Sequence, residues 1–462
     1  MILRPYQQEV ARAVMDSVQN GKGLTFSVEI ARQGGKNELS AHLEVLLLTL
    51  HMAAGGSLIK CSPTFKPQTI ISMQRLRARL DDFGFVGIYH SEMGYIISLG
   101  AARAVFLSAE ESSSVVGHTA DLLLEIDESQ DVSKEKYAKE FRPMGASTNV
   151  TTVHYGTTWD DATLLEEVKQ LNLDMERKDG IKRHFRYDWY EVAKNNLSYA
   201  SFVESERNRM GEDHPLFRTQ YALLPISGGG GFLSRQQLLL MRGTHPRQPV
   251  RSDSDEVIYI AGIDLAGEKE QLWDEMLMSG KPKVDSTVIS IARVDMAQRS
   301  LGHLSEPFVR VVEQYQWTGT PHSQLYGQMV NVLKNWNCKR VVVDSTGIGQ
   351  PIASFLKKEL GNKIVPFVFT QKSKSDMAFE FLSFVNSGRL NLYAQDGSEE
   401  FKESMLQLQK ARSQYRSNQT MNFYVNPLEG HDDFLMSLAL TVEAAKDFSP
   451  RSARGGIRND RV

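Results

Sequence analysis

Cysteine is nearly missing from this chain: 462 residues carry two, Cys61 and Cys338, far apart and in no metal-spaced or CxxC pair. That leaves no cysteine zinc site and no redox pair, and it fits two inert thiols in a reducing compartment. Long apolar runs are also lacking, so no transmembrane helix is predicted. The start, "MILRPYQQEV", has neither a signal h-region nor a cleavage site. A protein made in a cytosol is expected. Charge of one sign is not in excess either. The net charge of −3 gives no global pull toward nucleic acid, so any such contact needs local basic patches. There is no internal repeat and no low-complexity tract. What is present is an ordinary soluble composition, 41% apolar and 24% charged, on a chain too long for one core. Two or three domains are expected.

From residue 24 to about 174 the pattern alternates strand and helix. "LTFSVEI" (24–30) and "SLIKCSP" (57–63) read as strands, "NELSAHLEVLLLTLHMA" (37–53) as a buried helix, and "PQTIISMQRLRARL" (67–80) as a helix with a basic face. "DLLLEIDESQD" (121–131) is a short apolar run ending in acids, and "TTVHYGTTW" (151–159) is a further strand. Such alternation predicts a parallel sheet covered by helices. Residues 175–225 read as charged and helical with no further βαβ rhythm. "ISGGGG" (226–231) reads as a linker, since four glycines oppose both helix and strand. Behind it, strands are predicted at 257–267, 286–295, 308–317 and 338–347, the first three close enough for an antiparallel meander. Helices follow at 350–360 and 432–446, and the last residues, with Arg451, Arg454, Arg458 and Arg461, read as a disordered basic tail.

Two constellations carry chemistry. In the first, "ARQGGKN" (31–37) follows a strand and opens a helix. A glycine pair there turns backbone N–H groups toward phosphate oxygens, and Lys36 adds charge. The strict P-loop pattern fails at Ile30 and Asn37, where Gly and Ser or Thr are usual. About 90 residues later the acidic run supplies Asp127 and Glu128 at the carboxyl end of a strand, where open α/β sheets place their ligands. Phosphate loop and acid-tipped strand together suit Mg²⁺ binding and activation of water on a γ-phosphate. Gln7 precedes the first strand and has an amide suited to an adenine edge. The hydroxyls of Thr157 and Thr158, in "YGTTW", are placed to sense the γ-phosphate.

In the second constellation Asp264 sits in the apolar strand "AGIDLAG", Asp344 ends "VVVD", and Asp432 and Asp433 open an apolar helix. A buried carboxylate is costly unless paired or metal-bound. Capping of the helix by Asp432–Asp433, and an Asx turn at Asp344, are the plain structural alternatives. Taken together, acids on two strands and a helix can hold two Mg²⁺ or Mn²⁺ about 3.5–4 Å apart for phosphodiester cleavage. Asp285 is a weaker candidate for an outer ligand.

The order and spacing of these motifs resemble the large terminase subunit of tailed bacteriophages, from residue 3 to about 445. The resemblance implies an α/β chain: an N-terminal P-loop (RecA/ASCE-like) ATPase domain with a parallel sheet over 1–225, a Gly-rich linker region at 226–250, an RNase H-like nuclease domain over 251–447, and a tail at 448–462. It implies an adenine motif at Tyr6 and Gln7, and a variant phosphate loop at Arg32, Gln33, Gly34, Gly35 and Lys36 with Asn37 beside it. Asp127 is implied for Mg²⁺, Glu128 for the attacking water, and Gly156, Thr157 and Thr158 for coupling. Asp264, Asp344 and Asp432 are implied as nuclease metal ligands, with Asp433 auxiliary. Implied partners are double-stranded DNA, the portal protein, the small terminase subunit and further copies in a homo-oligomeric ring, a pentamer on the procapsid and a monomer in solution. The implied location is the host cytoplasm, with Arg103 and Arg142 as candidates to act on a neighbouring subunit. The rivals are a superfamily 2 helicase–nuclease, which needs a second RecA-like domain, and a docking protein with degenerate sites.

Overall fold

The computed structural model describes residues 3–448 except 111, 114, 116, 227–229, 253, 255, 267–285, 297–306, 348 and 417. Asp285, Ser227, Gly228 and Gly229 of the linker run, and the basic tail lie outside the described residues. The chain forms two compact units, one of Met1–Asn208, Pro215–Gly228 and Ser417–Gln419, the other of Arg209–His214, Gly229–Arg416 and Thr420–Val462.

The first unit is built on eight strands: β1 (Thr25–Ile30), β2 (Gly56–Ser62), β3 (His90–Glu92), β4 (Ile96–Leu99), β5 (Ala102–Ser108), β6 (Leu123–Ile126), β7 (Thr152–Gly156) and β8 (His184–Tyr187). Their spatial order is β3-β4-β5-β2-β6-β7-β1-β8. The six from β5 to β8 run parallel, and β4 and β3 extend the edge antiparallel. Strand β7 thus lies between β1, which leads into the Arg32–Asn37 loop, and β6, which carries the acids. This is the RecA/ASCE-like arrangement. The helix predicted from residue 37 spans Lys36–Leu50, and its apolar residues Leu39, Leu43, Leu47 and Leu48 are buried.

Two sequence expectations need correction. Residues 175–225 do continue the βαβ rhythm: helix Leu164–Asp179 leads to β8, which pairs parallel with β1. Thr163 caps that helix, and Gly180 at φ 73° ends it. Phe185 and Tyr187 bury the inner positions of β8 while Arg186 faces out. The charge on the helix hid this unit. The glycine run does not oppose strand throughout either. Gly230–Gly231 form β9, which pairs with Arg412 and Ser413.

In the second unit a six-stranded sheet has the order β14-β13-β10-β11-β12-β15. These are β10 (Ile258–Asp264), β11 (Ser286–Met296), β12 (Pro307–Thr318), β13 (Arg340–Asp344), β14 (Ile364–Phe367) and β15 (Leu390–Asn391). Strands β10, β11 and β12 form the expected antiparallel meander, while β13 and β14 add parallel on the other edge of β10. That is the RNase H-like order, and it leaves no room in this unit for a second RecA-like sheet among the described residues. A small sheet joins β9 to β16 (Arg412–Tyr415) and β17 (Met421–Tyr424). Helix Asp433–Ala445 is buried almost all round and packs on β10 and β11. It approaches so closely at Gly262 that a Cβ there would lie 2.3 Å from the Ser437 carbonyl oxygen and from the Thr441 nitrogen. The Ser437 hydroxyl also donates to the Gly262 carbonyl at 3.0 Å. Glycine is required at 262 for space, and the contact delivers the start of the helix to the end of β10.

Candidate nucleotide and metal sites

The loop after β1 is shaped by backbone conformations that leave little choice of residue. Gln33 has φ 59°, and Gly35, which precedes the first residue of the helix, has φ 95°. A side chain on Gly35 would also meet the Gln7 amide nitrogen at 2.7 Å. The loop is braced from helix Pro5–Gln19: the Tyr6 hydroxyl donates to the Gly34 carbonyl at 2.5 Å, and Gln7 Nε2 donates to the Gly35 carbonyl at 2.9 Å. Gln7 Oε1 accepts from the Arg4 N–H at 2.8 Å. Both residues expected in an adenine motif are therefore engaged with the loop after β1. Arg32 is held by Gln220, through its guanidinium (2.5 Å) and its backbone N–H (2.7 Å).

These residues open onto a cavity of about 880 Å³ lined by Arg4, Gln7, the loop from Arg32 to Asn37, and Glu128. Ile71 and Arg75 of helix Ile70–Asp82 complete the wall. The basic face expected on that helix is partly neutralised, since Arg75 and Arg79 each pair with Glu38 at 3.2 Å. Arg103 and Arg142 do not line the cavity. Across it, Lys36 Nζ meets Glu128 Oε2 at 3.2 Å. Burial pushes the Glu128 carboxyl up, but Lys36, Gln130 and Arg32 outweigh it and hold the group below its ordinary range. Glu128 sits at φ 44°, a conformation that costs a non-glycine residue about 1–3 kcal/mol and that turns its side chain back toward Lys36.

Asp127 is buried, and burial pushes its carboxyl up with Lys60 pulling the other way. Lys60 is itself buried on β2, donating to Ser40 at 2.7 Å and Glu44 at 3.1 Å. The two threonines are not directed at the cavity. Thr158 donates to Glu29 Oε1 at 2.6 Å inside the sheet, and the Thr157 N–H donates to Gln130 Oε1 at 3.2 Å. Gln130, absent from the sequence reading, also donates to Glu128 Oε2 at 2.8 Å.

In the second unit, parallel pairing of β10 with β13 sets Ile263 opposite Val343, so Asp264 and Asp344 stand side by side at the strand ends. Asp344 Oδ1 accepts the Thr346 N–H at 2.8 Å, so the Asx turn is real, and burial pushes the carboxyl up. Asp432 makes no side-chain cap bond. Capping falls instead to Gln407, buried on helix Glu399–Lys410, whose Oε1 accepts from Phe434 N (2.7 Å) and Leu435 N (3.3 Å). Asp433 is buried, and its Oδ2 accepts from Ser286 N at 3.0 Å, tying the helix to the start of β11. Among the described residues no three His, Cys, Asp or Glu side chains stand close enough to hold an ion as they are. Lys374 lies within electrostatic reach of Asp432, Asp264 and Asp344, and burial lowers its proton affinity while those acids raise it. Nothing in the sequence singled out Lys374 or Gln407. Both Cys61 and Cys338 are buried free thiols, as expected. No described helix is long and apolar enough to cross a membrane.

Residues 305–440 match the family of the terminase RNase H-like domain. No curated protein matches the chain by sequence. Among solved structures, the large terminase of a thermophilic bacteriophage is 11% identical over 96% of this chain and 99% of that one, with a TM-score of 0.57. The complex of that terminase with ADP covers the same shares at 11% identity and a TM-score of 0.54. The large terminase of bacteriophage HK97 is 16% identical over 96% of this chain and 95% of that one, with a TM-score of 0.42. Fold and family model agree: the fold is similar to that of a large terminase over 96% of the chain, and residues 305–440 of the second unit match the terminase RNase H-like domain.

Proposed function

We propose that the chain is a motor–nuclease of phage DNA packaging, in which ATP hydrolysis drives double-stranded DNA into a procapsid and a metal-dependent endonuclease cuts it. The observation that carries the reading is the Lys36–Glu128 pair across the cavity, 92 residues apart in sequence and 3.2 Å apart in space. An incoming γ-phosphate takes Lys36, which releases Glu128 to orient water. Asp127, buried and pushed up by burial, fits the role of holding a nucleotide-bound Mg²⁺, since a cation there supplies the missing counter-charge. Tyr6, Gln7, Arg32, Gln33, Gly34, Gly35 and Asn37 shape the pocket around the phosphates, with Thr157 and Thr158 behind it. The thermophilic phage terminase, of similar fold, has been solved with ADP and with ATP-γ-S.

For cleavage, Asp264, Asp344 and Asp432 would hold two Mg²⁺ or Mn²⁺, with Asp433 fixing the helix that carries Asp432. When bound, the ions supply hydroxide and steady the leaving oxygen. The chain's own part is to set Asp264 and Asp344 at adjacent strand ends and Asp432 at the start of the helix packed on β10, from where the carboxylates would close on the ions. A portal protein, a small terminase subunit and further copies of this chain in a ring are the partners this function requires. The docking-protein alternative is disfavoured by the preserved Lys36–Glu128 geometry. The test is ATP hydrolysis with and without double-stranded DNA, run beside plasmid nicking in Mn²⁺. DNA-stimulated turnover and nicking abolished by EDTA are expected, and absence of both would overturn the proposal.

A further inference from the structure

Gln130 has every polar atom of its side-chain amide committed. Its Nε2 donates to Glu128 Oε2 at 2.8 Å and to Asp131 Oδ2 at 3.3 Å, while its Oε1 accepts the Thr157 N–H at 3.2 Å. The amide cannot be turned over, because that would set N–H against N–H at Thr157 and oxygen against carboxylate at Glu128. It is also buried. Room for it is made by Gly156, where a Cβ would lie 2.1 Å from Gln130 Oε1 and 2.6 Å from a methyl of Leu165. Gly156 does not adopt the left-handed backbone, so glycine stands there for space rather than for conformation. From Gly156 the connection continues: Gly156 pairs with Glu29 in the β1–β7 ladder, and Thr158 donates to Glu29.

We infer that Gln130 is a positioning residue that joins the water-orienting carboxylate of Glu128 to the coupling segment Gly156–Thr158. The inference rests on the ATPase reading above. When Lys36 is drawn to phosphate, Gln130 remains as the hydrogen-bond donor that holds Glu128 Oε2. Because the same amide is fixed to the backbone of Thr157, a shift of that segment moves Glu128, and a change at Glu128 is felt by β7. The link depends on donor and acceptor together, so its loss lowers turnover without weakening nucleotide binding.

The experiment uses the full chain, with mant-ADP as the binding probe and steady-state ATPase rates with and without plasmid DNA. For Gln130→Ala, mant-ADP affinity and KM are expected within about twofold of wild type, with kcat at least about tenfold lower and DNA stimulation lost. Gln130→Glu keeps the acceptor for Thr157 but lacks the donor for Glu128. Its carboxylate stands against Glu128 and Asp131, so it should melt below wild type, still bind mant-ADP, and be at least as slow as Gln130→Ala. Gly156→Ala should be slow by itself yet add less than about twofold to Gln130→Ala, since the displaced amide is already gone. Wild-type kcat in Gln130→Glu, or full additivity of Gly156→Ala and Gln130→Ala, would overturn the link. A Glu128→Gln control separates the two readings. If it is inactive while Gln130→Glu is normal, only the link fails; if it too turns over normally, the ATPase assignment falls.

Discussion

The two acidic centres of this protein follow opposite electrostatic plans. In the first unit Glu128 is answered by the chain itself, through Lys36 at 3.2 Å and Gln130 at 2.8 Å. In the second, strand register sets Asp264 beside Asp344, a helix packed on Gly262 begins at Asp432, and Lys374 lies within electrostatic reach of all three. The first site can stay ordered while empty, because Glu128 already has its partners and a ligand has only to exchange them. In the second, burial pushes the Asp344 carboxyl up, so the site should tighten when cations arrive.

The largest expected effect lies in the first unit. Glu128→Gln should keep nucleotide binding and lower ATP turnover about 10³-fold, whereas Lys36→Ala should weaken binding as well; equilibrium binding beside kcat separates the two. In the second unit, Asp264→Ala, Asp344→Ala and Asp432→Ala should each reduce plasmid cleavage by about 100-fold or more. Double variants should add little, and ATP turnover should be untouched. Should any of these three cut DNA normally, the acids serve packing and the contrast between the sites dissolves.

Gly262→Ala sharpens the comparison from the side of packing. Its Cβ would press on helix backbone that has no rotamer to yield, so a loss of about 3 kcal/mol in denaturant unfolding is expected, with cleavage falling in parallel. A smaller effect concerns His154, buried between Ser129 and Tyr137 and pushed down to about 3 by burial. Its unfolded value is near 6.5, so the unfolded chain binds the proton first as pH falls through 6.5 toward 3, and wild type loses stability over that window. His154→Gln removes this loss. Relative to wild type, the variant should gain about 2 kcal/mol between pH 7 and pH 5, read from urea midpoints. The smallest effect is at Lys374. Lys374→Met removes one ammonium from the field of the three acids, so melting in EDTA should drop slightly and the rise on adding Mn²⁺ should exceed that of wild type.

Much of the architecture was legible because it is written in local patterns. Apolar runs ending in acids marked β6, β10 and β13, since a strand buried on both faces must be continuously apolar until it reaches the ligand edge. The short distances between 257 and 317 sufficed to predict the β10–β11–β12 meander. β8 escaped because its four residues follow a charged helix and only two of them are buried. The glycine run was misread at Gly230–Gly231, where pairing with β16 overrides low strand propensity.

By itself, then, the sequence determined which residues could carry charge at the ends of strands, because burial and period leave a local trace. Tertiary structure alone decided what those residues touch. Gln130 reaches Thr157 across 27 residues, and Gln407 caps a helix 27 residues away so that Asp432 is not spent on it. Tyr6 and Gln7, read from the sequence as an adenine motif, brace the loop that follows β1. A glutamine carries no periodic signal and has a donor and an acceptor to offer anywhere. Its role is set by which backbone and carboxylate the fold brings within about 3 Å, and that depends on the packing of segments the sequence keeps far apart.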